Sequence, residues 1–301
     1  MPTVFAEHIR EARALTRDEV GPRGEPAVVG VSIPLFGKYA EEQVRIALRE
    51  GIQTFVTSQG DPSRWTPFLK KYNRTVLHIC TTPEEALKCE KAGVDAVIAE
   101  GTESGGHNGR HELTTMSLVP EVVEAVGSRM PVVASGGIVD GRSIAAALAL
   151  GADGVHIDTR FAATHESSAH PNYKDAILRA HSTDTVMMLR SSTPVRALKN
   201  QFSHQIEHMI ESGAHFPELR KFAGEGRTRL GIYLGDVVRG ELDCGQDVAL
   251  INEILSVEEV LRKLLQEYKA ATRRITDDLE FPMVAEDEST PEYALQYSAQ
   301  D

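Results

Sequence analysis

Two stretches decide the fold of this chain: GTESGGHNGR at residues 101–110 and PVVASGGIVDGRSIAAALALGADGVHIDTRF at residues 131–161. Each contains a glycine-rich loop directly after a short apolar run, Ser104–Gly109 in the first stretch and Ser135–Gly137 in the second. Glycines let backbone N–H groups approach an anion closely and tolerate positive φ. The two loops therefore predict a phosphate-binding site. His107, in the first loop, is a candidate acid or base because imidazole titrates near neutral pH.

Short apolar runs alternate with helical patterns around these loops, which is typical of a parallel α/β sheet. The predicted strands are Ala27–Ser32, Thr54–Thr57, Thr75–Ile79, Ala96–Ala99, Val132–Ala134 and Gly154–Ile157. Helices are expected at residues 4–16, 40–50, 63–71, 117–126 and 141–150, with a further one between Thr82 and Gly93. The first strand is not followed by the GxGxxG fingerprint of a dinucleotide-binding fold, so a TIM (β/α)8-type barrel is favoured.

The predicted barrel lacks its first β-α-β segment, because only six strands are recognised. Residues 1–161 plus 245–275 are predicted to form the barrel, residues 162–244 a helical cap over its mouth, and residues 276–301 a disordered tail with eight acidic residues. The clearest helix is predicted at Ser256–Arg273, with Ser256 and Glu259 as a capping box. Its predicted apolar face consists of Val260, Leu261, Leu264, Leu265 and Tyr268.

Composition excludes several classes of partner. The net charge is -12 over 301 residues, which argues against nucleic acid or an anionic membrane. No apolar run reaches the roughly 18 residues of a transmembrane helix, and the N-terminus has no apolar signal core. The cysteines, Cys80, Cys89 and Cys244, form no paired framework. A cytoplasmic protein is therefore expected.

The candidate site residues each have an ordinary structural explanation as well. Ser135–Gly137 could be a tight turn, but Thr159 and Arg160 follow the next strand, so both loops would open on the same face to hold a phosphate. His107 could be a surface histidine. Glu103 could pair with Arg110 or with a substrate, although a solvated loop acid is favoured.

Other histidines are weaker candidates. His204 and His208 have the i, i+4 spacing of metal ligands on a helix, but no third ligand accompanies them, so no metal site is predicted. His165 and His170 are candidates for substrate contact near the barrel mouth.

Several segments, in one order, resemble the nitronate monooxygenase (2-nitropropane dioxygenase-like) family and its relatives, the FMN-dependent enoyl-ACP reductases. They are VIAEGTESGGHNGR, LVPEVVEAV, PVVASGGIVDGRSIAAALALGADGV and TRFAATHES, within roughly Val28 to Gln246. The resemblance implies a TIM barrel with FMN at its carboxyl-terminal mouth. It implies His107 as the base or proton donor beside the flavin. The cofactor-binding positions it implies are Ser32, Gly105, Gly106, Ser135, Gly136, Gly137, Thr159 and Gln246.

Three departures from the family pattern concern FMN. Members begin with a strand and a Pro-Met-x-Gly-type loop against the flavin, whereas this sequence starts at what resembles the second helix. Ser32 stands where the family often has asparagine. Asp158 replaces the usual glycine before Thr-Arg-Phe, and a carboxylate beside a phosphate costs binding energy through repulsion.

The function implied by the resemblance is that of an FMN-dependent oxidoreductase acting on a small molecule, most directly a nitronate monooxygenase using O2. An enoyl-thioester reductase using NAD(P)H is the alternative within the class. A flavin-free barrel, or one completed by a partner chain, is the alternative outside it. The sequence is compatible with a homo-oligomer and does not set the number of subunits.

Overall fold

The computed structural model describes residues 2–20, Gly24 and 27–277. Most of the predicted acidic tail, residues 278–301, lies outside the described residues. Thr276 and Asp277, which the sequence assigns to that tail, instead continue the last helix.

Parallel strands and outer helices alternate through the first half of the chain, as predicted. The strands of the described part are β1 (Gly30–Pro34), β2 (Thr54–Ser58), β3 (Thr75–Cys80), β4 (Ala96–Glu100), β5 (Gly106–His107), β6 (Val132–Ser135), β7 (Gly154–His156), β8 (Thr185–Met188) and β9 (Val195–Leu198). The α-helices are α1 (Pro2–Leu15), α2 (Ala40–Arg49), α3 (Thr66–Lys71), α4 (Pro83–Ala92), α5 (Thr115–Val126), α6 (Gly141–Ala149), α7 (Thr159–Ala162), α8 (Pro171–Arg179), α9 (Gln201–Glu211), α10 (Phe216–Ala223) and α11 (Val257–Asp277).

Six strands form one parallel sheet in the order β1-β2-β3-β4-β6-β7. All six predicted strands are confirmed, although the first begins later than predicted, since its pairing with β2 starts at Gly30 opposite Thr54. One face of the sheet packs on the helices, with Ile33, Phe55 and Val97 fully buried there. Among the described residues β1 and β7 are free edges, so the sheet is open and TIM-like, an incomplete barrel of six strands.

The helix ends follow the sequence closely. Thr82 caps α4 by accepting a hydrogen bond from the amide of Glu85, and Gly93 ends that helix in the left-handed conformation. Glu85, three residues after Thr82, does not complete a capping box, because its carboxylate accepts from the amide of Thr81 rather than that of Thr82. α11 has the full capping box of Ser256 and Glu259.

The apolar face predicted for α11 is only partly correct. Val260 and Leu264 are buried, whereas Leu261 and Leu265 are each 53% exposed. α11 lies along α6, and the Glu267 carboxylate accepts from the amide of Gly141 at the start of that helix. Packing on a single helix covers a narrower stripe than the sequence pattern suggests.

The segment after Phe161 contains a small sheet that the prediction of a helical cap missed. β8 and β9 form an antiparallel hairpin, and β9 also pairs with β5, opposite Gly106 and His107. Both strands of the hairpin are four residues long and lack strict polar alternation, so their sequence carries no clear strand period. The missed sheet matters because it fixes the loop that contains His107.

No helix in the described part of the chain combines the length and apolarity needed to cross a bilayer.

Candidate active site

The first glycine-rich loop leaves β4 and returns across the carboxyl ends of the parallel strands. Its backbone starts with Gly101, whose amide donates to the carbonyl of Ser135 at the end of β6. The buried Arg196 of β9 holds the same loop through its Nε, which donates to the carbonyl of Thr102 at 2.9 Å. Gly105 lies against the backbone of Cys244, where a Cβ atom would approach within 2.6 Å. The loop is therefore clamped from both sides.

The second glycine-rich loop packs directly on the first. Gly136 has φ +91°, and a Cβ atom there would lie 2.7 Å from the carbonyl oxygen of Gly101. Gly137 has φ +69° and lies next to the Cβ of Glu103. Among the described residues, the amides of Gly136 and Gly137 donate to no acceptor. Two adjacent free N–H groups at the end of a parallel strand form a cradle that fits an anion such as a phosphate.

Two further predicted cofactor residues lie near the first loop: Gln246 contacts Glu103, and Thr159 contacts Gly245, the residue before Gln246. The amide of Gln246 donates to the Glu103 carbonyl at 2.8 Å, and the Thr159 hydroxyl accepts from the amide of Gly245 at 3.0 Å. Ser32 lies apart from this cluster, on the edge strand β1, with β2, β3 and β4 between it and β6.

Two side chains have different roles from those expected. The Glu103 carboxylate neither pairs with Arg110 nor faces solvent, because it accepts from the amide and hydroxyl of Thr115 at the start of α5. Arg160 does not face the phosphate loop, because its buried guanidinium donates to the carbonyls of Ala163 and Glu253. The cradle therefore relies on backbone donors, and the Arg160 guanidinium does not screen the charge of Asp158.

His107 faces a cavity of about 950 Å³ at the carboxyl ends of β2, β3 and β4. The ring of Phe36 lies 5.7 Å from the imidazole, centroid to centroid. Desolvation lowers the pKa of His107, and the nearby Glu241 carboxylate partly opposes that shift. A neutral imidazole at neutral pH can accept a proton, as a general base must.

The cavity contains a further acceptor beside His107. Asn108 donates through Nδ2 to the carbonyls of Ser104 and Gly106, which fixes its amide plane. Its Oδ1 is buried and has no partner among the described residues, and Asn108 lines the cavity. This oxygen can accept one hydrogen bond from a bound molecule.

Sequence reasoning missed Glu241 and Asp243, the acids behind the histidine loop. Burial and the neighbouring Glu241 raise the pKa of the Asp243 carboxyl well above its usual range. Asp243 lies against Gly106, whose Cβ atom would be 3.4 Å from its Oδ2. No sequence motif predicts this contact, because it depends on a β-bridge between Asp243 and Ala197 of β9, in the hairpin that the sequence did not predict.

Glu241→Gln should lower the pKa of His107, because the carboxylate that stabilises the imidazolium is removed. An NMR titration of the His107 ring would measure the midpoint, with Glu218→Gln on α10 as a control that should leave it unchanged. An unchanged or raised midpoint in Glu241→Gln would show that Glu241 does not set the charge of His107.

The family profile described as nitronate monooxygenase matches residues 6–267 of the chain. The chain belongs to this family. Members of this family are oxidoreductases, so the prediction that the chain is an oxidoreductase is confirmed at the level of the family.

Individual relatives support the same assignment. The structure of FabK from Thermotoga maritima has a TM-score of 0.82 at 34% identity, and the match covers 93% of this chain and 85% of that one. A nitroalkane oxidase from Streptomyces ansochromogenes has a TM-score of 0.67 at 28% identity over 91% of this chain and 78% of that one.

A probable nitronate monooxygenase of Staphylococcus saprophyticus is 35% identical over 188 residues, which are 59% of this chain and 52% of that protein. The chain spans about half the length of the curated relatives it matches.

Proposed function

We propose that the chain is an FMN-dependent oxidoreductase that oxidises nitronates or nitroalkanes with O2. The observation that carries this proposal is the cradle of free amides at Gly136 and Gly137, next to the loop that holds His107. A phosphate of FMN would bind these amides, with Thr159, Gln246, Gly105 and Gly106 close to the cofactor. FMN supplies the redox chemistry when bound, because none of the protein side chains at this site is an electron acceptor.

The protein side chains orient the substrate and move its proton. A neutral His107 accepts a proton from the carbon of a nitroalkane, and this step converts the nitroalkane to its nitronate. Asn108 Oδ1 and the loop amides provide fixed polar groups against which a small polar molecule can be oriented. The nitroalkane oxidase among the structural relatives supports this substrate class.

The proposed organisation has residues 1–161 plus 245–275 as the flavin-binding α/β unit and residues 162–244 as the substrate region. Two further strands between β7 and β1 would complete an eight-stranded barrel. We infer that the segment with these two strands would carry a loop at the mouth of the barrel. This loop would contact the flavin ring on the side of Ser32.

The first test is oxygen uptake by purified protein given FMN and an alkyl nitronate. Uptake that requires both FMN and the nitronate supports the proposal. Protein that takes up no FMN at micromolar concentration would contradict it.

An enoyl-thioester reductase is the second candidate, because the cavity is large for a nitronate. A cavity of about 950 Å³ can hold a drug-sized ligand. Lys88, Lys91 and Arg110 line it and form no ion pair in the described part of the chain, so their charges are available to an anionic substrate or NAD(P)H, and Asp61, Glu85 and Glu100 share the lining. NADPH oxidation that depends on an enoyl thioester, without oxygen uptake on nitronates, would select this candidate.

Asp158→Asn should strengthen FMN binding about two- to fivefold at low salt, because an exposed charge acts through screened repulsion. The measurement is quenching of flavin fluorescence at two salt concentrations, with the gain smaller at high salt. Asp175→Asn is the matched control, because its side chain is 61% exposed, against 60% for Asp158. Weaker binding in Asp158→Asn would show that the carboxylate contributes a favourable contact.

A further inference from the structure

A row of polar side chains crosses the ends of three parallel strands next to the cradle. The strand register sets Glu100 of β4 opposite Ser135 of β6, and Ser135 opposite His156 of β7. Residues in register on adjacent strands point to the same face of a sheet. The three side chains therefore share the face that does not pack on the helices.

Hydrogen bonds are present at both ends of this row, and Glu100 and Ser135 face each other in register between them. The Ser104 hydroxyl donates to Glu100 Oε2 at 3.2 Å. The Ser135 hydroxyl lies 3.2 Å from Nδ1 of His156, and the same Nδ1 lies 3.4 Å from Oδ2 of Asp158. Asp158 is exposed, whereas Ser135 is only 1% exposed, so the row leads from the interior to solvent.

The inner end of the row reaches the cavity that His107 faces, because Glu100 also lines that cavity. Burial raises the pKa of the Glu100 carboxyl to about 8, and Asp158 adds to the shift, while hydrogen bonds from Ser104 and Ser135 oppose it. The charge of Glu100 also interacts with the Cys80 thiol.

We propose that Glu100 is a second acid–base group of this site, a proton donor complementary to the base His107, and that Ser135 and His156 resupply its proton from solvent at Asp158. The identity of the substrate that Glu100 protonates rests on the proposed function. The proton path rests only on the row of side chains. Two groups held in opposite protonation states in one cavity are the arrangement that acid–base catalysis requires.

The proton transfer balances along the row. Glu100 gives its carboxyl proton to a basic atom of the substrate and becomes a carboxylate. The Ser135 hydroxyl then passes its proton to that carboxylate and takes one from Nδ1 of His156. His156 regains a proton from solvent near the Asp158 carboxylate, and the row returns to its starting state.

The first experiment needs neither FMN nor substrate. In full-length protein with 13C-labelled glutamate side chains, the carboxyl signal that disappears in Glu100→Gln should titrate near pH 8. Ser135→Ala should raise that midpoint, because a donor to the carboxylate is lost. A midpoint near 4.5, the usual value, would overturn the proposal.

Thermal stability gives an independent reading of the same group. A folded pKa above the usual 4.5 means that wild-type protein loses stability as pH rises from 4.5 to about 8. Glu100→Gln should lack this loss, because its amide does not ionise. The same dependence in both proteins would contradict a buried, protonated Glu100.

Steady-state kinetics test whether Glu100 donates a proton during catalysis. Glu100→Gln keeps the shape of the side chain and should lower kcat about 10²- to 10⁴-fold, with loss of the decline in rate above pH 8. His156→Gln should lower kcat less, and added imidazole should restore part of it. Glu85→Gln is the matched control, since Glu85 lines the same cavity but accepts from Thr81 outside the row.

The results separate the two proposals. A wild-type kcat retained in Glu100→Gln would overturn the donor role while leaving the proposed function intact. Protein inactive on every nitronate and enoyl thioester would reject the proposed function. In that case the titration of Glu100 in free protein, and its response to Ser135→Ala, still decides whether the row holds a mobile proton.

Discussion

His107→Ala should lower turnover of a nitroalkane about 10²- to 10⁴-fold while FMN remains bound, because the variant loses the base but keeps the amide cradle. The cradle lies on the other glycine-rich loop, at Gly136 and Gly137, so truncating the imidazole leaves the phosphate donors in position. The loss should be much smaller with a preformed nitronate, which needs no proton removed from carbon.

The measurements for this variant are oxygen uptake on both substrates and a flavin titration. His111→Ala is a suitable control, because His111 also lines the cavity but lies beyond the glycine-rich loop. Turnover of the nitroalkane near the wild-type rate in His107→Ala would reject the assigned role. Loss of FMN together with activity would mean instead that the histidine supports the loop.

Gly136→Ala should have the largest effect on cofactor binding, with FMN affinity falling at least roughly tenfold and the free energy of unfolding falling by about 2–5 kcal/mol. Two causes combine here. The backbone has φ +91°, which disfavours any side chain, and the new Cβ atom would lie 2.7 Å from the Gly101 carbonyl oxygen. Relief of the contact must push the two loops apart and disturb the amides.

Gly93→Ala separates these causes, because Gly93 has φ +82° but nothing within 4 Å of the added Cβ atom. It should cost only the backbone strain, about 1–2 kcal/mol, and leave FMN binding unchanged. Denaturant unfolding and flavin titration of both variants provide the comparison. Equal losses of stability and unchanged FMN affinity in Gly136→Ala would show that the contact between the loops is unimportant.

The sequence was most informative where local rules act alone. The six parallel strands, the caps at Thr82, Gly93 and Ser256, and the position of both glycine-rich loops follow from apolar runs and turn residues. These features depend on residues within a few positions of each other, so a single sequence contains the information.

Contacts between distant segments were less predictable. Glu103 caps α5, and Arg160 reaches the carbonyl of Glu253, because the fold brings those partners close. The hairpin β8–β9 pairs with β5, and the sequence of the hairpin does not show this contact. In each case the contact depends on the tertiary fold rather than on a local sequence pattern.

Glu100 and His156 show what a closer reading of the sequence could find. Each is a titratable residue at the end of a short apolar strand, as in AVIAE and GVH. Such positions face the mouth of a parallel α/β barrel, where catalytic groups collect. Their alignment with Ser135 required the strand register, which only the structure provides.

The proposed activity requires that this chain bind FMN and use it to oxidise nitronates. Its most direct test is an anaerobic titration of FMN-loaded protein with an alkyl nitronate, followed at the flavin absorbance near ~450 nm. The expected result is bleaching in proportion to the nitronate added, with recovery on admission of O2. Flavin absorbance that nitronate leaves unchanged, in protein shown to hold FMN, would contradict the claim.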